Sequence, residues 1–157
     1  MIRSRRAVSP VIATIIIVAV AITMTIAVAY WVEGIASMYT RFEKVKIQTA
    51  TCTKDMYANC WRIDYILKNS GSATATMINV FVNEVQVGRY GVSDCAAGET
   101  TTSLSTAQPV EPGQTLTVAV YVSTSYPQSR PYSSGTAVSI KFHSTGGMDY
   151  VRTTELV

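Results

Sequence analysis

The sequence is poor in the residue types that enzymes and metal sites require. It has a single histidine, His143, and its three cysteines show no zinc-site spacing. It contains no G-x-S-x-G, Walker, G-x-G-x-x-G or H-E-x-x-H motif. His143 follows Phe142 in an alternating segment, where a solvated or structural histidine is expected. These absences argue against catalysis and against a resident metal or cofactor.

Charge is absent from a long segment near the amino terminus. The 26 residues from Ala7 to Val32 carry no charged side chain. As an α-helix with a rise of about 1.5 Å per residue they would reach roughly 39 Å, more than the roughly 30 Å hydrocarbon core of a bilayer. The sequence therefore predicts a helix that can span a membrane.

The charges that precede this segment are all positive. Arg3, Arg5 and Arg6 lie before it, and the first charge after it is Glu33. Because cytoplasmic flanks of membrane helices are enriched in Lys and Arg, we expect the amino terminus in the cytoplasm and the chain after Val32 outside. The three arginines also account for the whole net charge of +3. The other charges balance, so no basic surface for nucleic acid is expected.

The apolar segment has no polar face. We expect its helix to begin at about Ser9, which would cap free amides, with Pro10 at the first helical position, and to continue to about Arg41. A helix that is apolar all round must be covered by lipid or by other helices. We assign residues 8–43 to this helix. Its expected packing residues are Val11, Ile12, Ile15, Ile16, Val18, Ile22, Ile26 and Val28.

After the helix, apolar residues recur at every second position, which is typical of β-strands. The predicted strands are 45–52, 61–68, 74–83, 84–90, 116–123, 136–143 and 149–157. Turn residues separate them, including a tight turn at Asn83-Glu84. This pattern predicts an Ig-like antiparallel sandwich over residues 44–157. The predicted fold class is therefore α+β, a long N-terminal hydrophobic helix followed by an all-β head domain.

The head domain contains a predicted loop and three cysteines that could pair in more than one way. Residues 91–108 are rich in Ser, Thr, Ala and Gly without strong periodicity, which predicts a loop. Cys52 and Cys60 flank a polar loop of seven residues and are the first candidate for a disulfide, and a bridge that uses Cys95 is about equally plausible. Outside the cell such bridges persist, and three cysteines leave one thiol unpaired or in contact with another chain.

The start of the chain resembles a known family. The residues R-R-A-V-S-P-V-I-A-T-I-I-I-V-A-V-A-I, from Arg5 to Ile22, are similar to the start of archaeal type IV pilins of the pilin and archaellin superfamily. The resemblance implies a basic leader, residues 1–7, that a prepilin peptidase removes at Arg5, Arg6, Ala7 and Val8. The implied cut lies between Ala7 and Val8, with the Arg6-Ala7 bond as the alternative. Bacterial relatives carry a glutamate at the fifth mature position, where this chain has Ile12.

The resemblance also implies a function and partners. It implies a membrane-inserted precursor whose mature form leaves the bilayer and polymerises through its helix into a homopolymeric extracellular filament, with adhesion as the expected use. The implied partners are the peptidase and the pilus assembly machinery, an ATPase and a membrane platform. Two alternatives share these sequence features, namely a signal-anchored extracytoplasmic binding domain and an archaellum filament subunit.

Overall fold

The structure is a computed structural model that describes residues 9–55, 59–127 and 131–157. It divides the chain into two units, Met1–Arg41 and Phe42–Val157. The first unit contains a long apolar helix, and the second contains antiparallel β-sheets, which confirms the predicted α+β fold class. The boundary lies two residues before the predicted one, which follows residue 43.

Helix α1 spans Pro10–Thr40, 31 residues, which corresponds to about 46 Å. Ser9 occupies the N-cap position, but its side chain makes no capping hydrogen bond, contrary to expectation. Its carbonyl instead accepts the first helical hydrogen bond, from the amide of Ala13 at 3.1 Å. Because Pro10 has no amide proton, the first turn has one donor fewer to satisfy.

The described part of the second unit contains nine strands. They are β1 (Val45–Asp55), β2 (Cys60–Asn69), β3 (Ala75–Val82), β4 (Val85–Gln86), β5 (Thr100–Thr102), β6 (Gln108–Val110), β7 (Thr115–Ser123), β8 (Ala137–Ser144) and β9 (Asp149–Glu155). One sheet has the strand order β1-β2-β7-β5. The other has the order β4-β3-β8-β9, and β6 also pairs with β3. Each of these pairings is antiparallel.

The core of this head domain lies between the two sheets. On β2, alternate residues Trp61, Ile63, Tyr65 and Leu67 are at most 1% exposed, as the period-two pattern predicted. Residues of β3, β7 and β8 bury their own alternate side chains in the same cluster. The ring of Tyr65 meets that of Phe142 edge to face, with centroids 5.3 Å apart. The head domain therefore has a hydrophobic core of its own.

Two strand predictions need correction. The segment 91–108 contains β5, and all three of its threonines are buried, because this short strand adds to the edge of β7. A Thr-Thr-Thr run has no apolar alternation, so periodicity does not reveal it. The segment 84–90 is strand only at Val85–Gln86. The tight turn before it is confirmed, since Asn83 and Glu84 both have positive φ and Val82 pairs with Val85.

The turn after β2 holds the chain that precedes β1. The amides of Ser72 and Ala73 donate to the carbonyl of Phe42 at 3.0 and 3.1 Å, and the amide of Ser70 donates to that of Lys44 at 2.7 Å. Gly71 lies against the same backbone. A Cβ atom at Gly71 would overlap with the Phe42 carbonyl oxygen and would lie 2.6 Å from the Lys44 nitrogen.

We expect Gly71→Ala to destabilise the head domain by about 1–3 kcal/mol, because rigid backbone on the opposite side must move to admit the methyl group. The measurement is chemical denaturation followed by the fluorescence of the buried Trp61. Gly88→Ala is the matched control, since a Cβ there meets its nearest atom at an ordinary 3.5 Å. Equal stability losses in the two variants would contradict the steric account.

Candidate functional site

The candidate site is the surface of α1. None of the described residues of this helix is buried, and apart from the half-buried Ile35 its large apolar side chains are more than half exposed. All predicted packing residues lie on this surface, with exposures from 52% at Ile26 to 65% at Val11. Val11, Ile15, Val18, Ile22 and Ile26 recur at intervals of three or four residues and so lie along one face. The exposed side chains of Ile17, Val20 and Met24 cover the opposite side, so the helix is apolar all round. By length and composition α1 can cross a membrane.

The threonine side chains of the apolar segment are hydrogen-bonded within the helix. The hydroxyl of Thr14 donates to the carbonyl of Val11 at 2.8 Å. The hydroxyls of Thr23 and Thr25 likewise donate to carbonyls three or four residues earlier, at 2.9 and 2.7 Å. A threonine bonded in this way presents mainly its methyl group to the surroundings. These three threonines can therefore enter an apolar environment with their hydroxyls paired.

The surface of α1 is not smooth. Shallow apolar depressions occur where small side chains lie between larger ones. One is lined by Thr14, Ile15, Val18, Ala19 and Ile22. The next is lined by Val18, Ala21, Ile22, Thr25 and Ile26. Small residues of this kind allow a neighbouring helix to approach closely.

The polarity of α1 changes in its last third. Glu33 is the only charged residue between Pro10 and Thr40. Just before it, Tyr30 and Trp31 are 74% and 67% exposed. These are the residue types that lie at membrane interfaces, where an apolar ring carries a polar tip. The fully apolar part of the helix therefore ends near residue 32.

The residues implied in processing, Arg5, Arg6, Ala7 and Val8, lie outside the described residues. Their proposed role is therefore a sequence expectation, and the structure neither brings them together nor separates them.

The cysteine pair favoured from the sequence is not brought together. In the β1–β2 ladder Cys52 lies opposite Ile63, whereas Cys60 lies opposite Asp55. Three residue pairs thus separate them along the strands, about 10 Å at 3.3 Å per residue, which exceeds the Cα separation of a disulfide. All three cysteines are thiols, and it is Cys95 that lies near Cys60, because burial and then the neighbouring Cys95 thiol raise the pKa of Cys60.

The single histidine of the sequence is paired with a carboxylate. His143 lies on β8 and its Nδ1 hydrogen-bonds to Oδ1 of Asp149 at 2.5 Å. Within the described ranges, no three His, Cys, Asp or Glu side chains are grouped so that they could hold a metal ion. Two tyrosines of the head domain, Tyr126 and Tyr132, have structural contacts. Tyr126 and Tyr132 pack edge to face, and the Tyr132 hydroxyl accepts a hydrogen bond from Asn83 at 2.7 Å.

Tyr65 makes the head domain sensitive to high pH. Burial raises the pKa of its hydroxyl from 10.0 to about 12, although a 2.8 Å hydrogen bond with Thr154 acts in the opposite direction. Because the folded pKa lies above the unfolded one, the associated stability is complete below pH 10 and is lost as pH rises to about 12.

We therefore expect an alkaline loss of about 2–3 kcal/mol in the free energy of unfolding from this residue alone. The measurement is urea denaturation at pH 9 and at pH 11.5. In Tyr65→Phe the alkaline loss should be smaller by this amount, since other ionisable groups are unchanged. If wild type and variant lose stability equally with pH, the role assigned to Tyr65 is wrong.

Comparison with known proteins gives distant structural matches. No family model matches the chain, and no curated protein matches it. Among solved structures, it is similar to the archaellum periplasmic stator protein FlaG from Sulfolobus acidocaldarius, with a TM-score of 0.47 and 18% identity over 72% of this chain and 100% of that one. The stator complex of FlaF and FlaG from the same organism gives the same TM-score and identity, over 72% and 90%. A likeness this distant leaves function to be argued from the residues themselves.

Proposed function

We propose that this chain is a structural subunit of an archaeal type IV-like pilus, which polymerises through α1 into an extracellular filament used for adhesion. The observation that carries the proposal is the complete apolar circumference of α1, with its threonine hydroxyls bonded within the helix. Each large aliphatic side chain left in water would cost about 1.5–3 kcal/mol. Such a helix therefore needs a cover on every side.

The apolar surface of α1 can be covered first by lipid and then by neighbouring helices. A bilayer covers the precursor, whose arginines keep the amino terminus in the cytoplasm. In a filament, identical helices replace lipid, and the depressions around Ala19 and Ala21 accept side chains of a neighbour. The length of about 46 Å also favours the filament, since α1 is longer than a bilayer core requires.

The head domain suits the outer surface of such a filament. Its core is complete within Phe42–Val157, so it does not need α1 for a hydrophobic interior. Its described charges lie mainly on exposed side chains, such as those of the Arg62–Asp64 and Arg89–Glu99 ion pairs. A self-contained, water-facing domain on an apolar helix is the arrangement that a filament with a helical core requires.

A signal-anchored domain is the competing function, because a single helix of this length and composition can equally remain in the membrane. It would retain Arg3, Arg5 and Arg6 and would stay monomeric. An archaellum subunit is the other alternative, and it shares the filament but serves motility.

The deciding experiment determines the mature amino terminus of the protein and images material sheared from cells by negative-stain electron microscopy. We expect Val8, or Ala7, as the first residue of a protein that forms thin filaments.

The double variant Arg5→Ala, Arg6→Ala tests processing and should leave uncut precursor in the membrane. An intact Met1 in the wild-type membrane fraction without filaments would exclude the pilin function. Loss of swimming instead of attachment on deletion would favour the archaellum.

A further inference from the structure

Cys60 lies at a fixed position in the first sheet. It is the first residue of β2, is 1% exposed, and lies opposite Ser123 at the end of β7. The next residue, Trp61, is part of the core and donates from its ring nitrogen to the carbonyl of Val157 at 3.0 Å. The position of the Cys60 side chain is therefore set by well-packed strands on both sides of β2.

The segment that carries Cys95 is held beside the same end of β7. The hydroxyl of Thr101, on β5, donates to the carbonyl of Asp94. Ser123 makes two further contacts with the segment, since its amide donates to the carbonyl of Glu99 at 3.3 Å and its hydroxyl accepts from the amide of Gly98 at 3.0 Å. Ser123 thus links the Cys95 segment to the residue opposite Cys60.

As a result the thiols of Cys60 and Cys95 lie near each other, close enough that each influences the pKa of the other, although they are 35 positions apart in the sequence. Cys52 is outside this arrangement. Its side chain lies on β1, in a polar groove that Arg152, Thr154 and Val157 help to line. Geometry therefore favours one of the three possible pairs.

We infer that Cys60 and Cys95 form an intramolecular disulfide that ties the start of β2 to the segment before β5, and that Cys52 remains a thiol. The oxidant is a disulfide compound, RSSR. The thiolate of one cysteine attacks RSSR, which releases RS⁻ and leaves a mixed disulfide. The thiolate of the other cysteine then attacks that bond, forms the Cys60–Cys95 bond and releases the second RS⁻. The two cysteines lose two electrons and two protons, and RSSR is reduced to two RSH.

The bridge would close the loop between residues 60 and 95 and would stabilise the head domain. The rate at which it forms should depend on pH. Cross-linking reduces the conformational freedom of the unfolded chain, so we expect a rise in Tm of about 10 °C. Burial raises the pKa of Cys60 to about 12 and raises that of Cys95 above its usual 9.0. Because the thiolate is the attacking species, bridge formation should accelerate about tenfold per pH unit between pH 7 and 8.5.

The test uses the full chain, purified under reducing conditions and then exposed to cystine at pH 8.5. Trypsin cleaves after Lys46, Lys54, Arg62 and Arg89, so it separates the cysteines into the peptides Ile47–Lys54, Asp55–Arg62 and one that begins at Tyr90. Mass spectrometry without reduction should find Asp55–Arg62 linked to the peptide from Tyr90, and one thiol per chain should remain. A bridge that includes Ile47–Lys54, bridges only between chains, or three unreacted thiols would overturn the inference.

Two variants test whether the rise in Tm comes from the bridge between Cys60 and Cys95. Cys52→Ser should lose both remaining thiols to cystine, and its Tm should rise by about 10 °C. Cys52→Ser combined with Cys95→Ser leaves buried Cys60 in place and should show no rise in Tm with oxidant. An equal rise in both variants would contradict the bridge. The inference concerns the head domain alone, so its failure would not bear on whether the chain polymerises.

Discussion

Replacing Ile22 by aspartate is expected to reduce filament yield at least tenfold. Ile22 lies in the middle of the apolar part of α1, is 54% exposed, and lines both depressions on the helix surface. In a filament core the carboxylate would be desolvated without a cation, because no positive charge occurs between Ala7 and Arg41. This cost recurs in every subunit, so assembly should fail.

Membrane insertion should survive the same change. A central aspartate costs about 2.5–3.5 kcal/mol in an inserted helix, which the many Ile, Val and Ala residues around it offset. The measurement is therefore the amount of protein in sheared filaments relative to the amount in the membrane. Ile22→Leu and Ser37→Asp are matched controls, the first without a charge and the second beyond the apolar segment, and both should assemble. Normal filaments from Ile22→Asp would contradict a helical core built from this surface.

Replacing Asn69 by leucine is expected to destabilise the head domain by about 3–4 kcal/mol. Asn69 is completely buried, and its amide group donates to the carbonyls of Ala73 and Val110, both at 2.8 Å. Its side-chain oxygen accepts from the amide of Gly71 at 2.9 Å. Leucine of similar size would leave three backbone groups without partners, each at a cost of about 1–3 kcal/mol when buried.

Thermal and urea unfolding of the full chain measure this effect. Asn79→Leu is the control, because the side chain of Asn79 accepts only an exposed bond from Gln86, at 3.2 Å. We expect it to change the free energy of unfolding by less than about 1 kcal/mol. Asn69→Asp should also be strongly destabilised, since a carboxylate has no donor for the two carbonyls. If Asn69→Leu is as stable as Asn79→Leu, the hydrogen bonds of Asn69 do not stabilise the turn that follows β2.

The extent of α1 could be predicted from the sequence because it depends on local composition. The expected limits, Ser9 and about Arg41, lie one residue outside the observed Pro10 and Thr40. The buried face of β2 was equally predictable, since alternate positions from Trp61 to Leu67 are large and apolar. In each case the residues that determine the local structure lie close together in the sequence.

Other features depend on partners that are distant in sequence. Thr100–Thr102 became a buried strand because β7 offered a free edge, and nothing in the three threonines indicates this. The role of Asn69 depends on Val110, 41 residues later. The preference for Cys52 with Cys60 relied on short separation, whereas the β1–β2 register moves them apart and β7 brings Cys95 to Cys60.

The charge-free helix, apolar on all sides, and the domain of alternating strands that follows it are both evident from the amino-acid sequence. These properties follow from composition and period, which every short segment carries within itself. Which strands are neighbours and which thiols lie near each other became known only from the three-dimensional structure. Pairing across long separations is set by the register of the sheets and by the space left between them, and no local pattern encodes either.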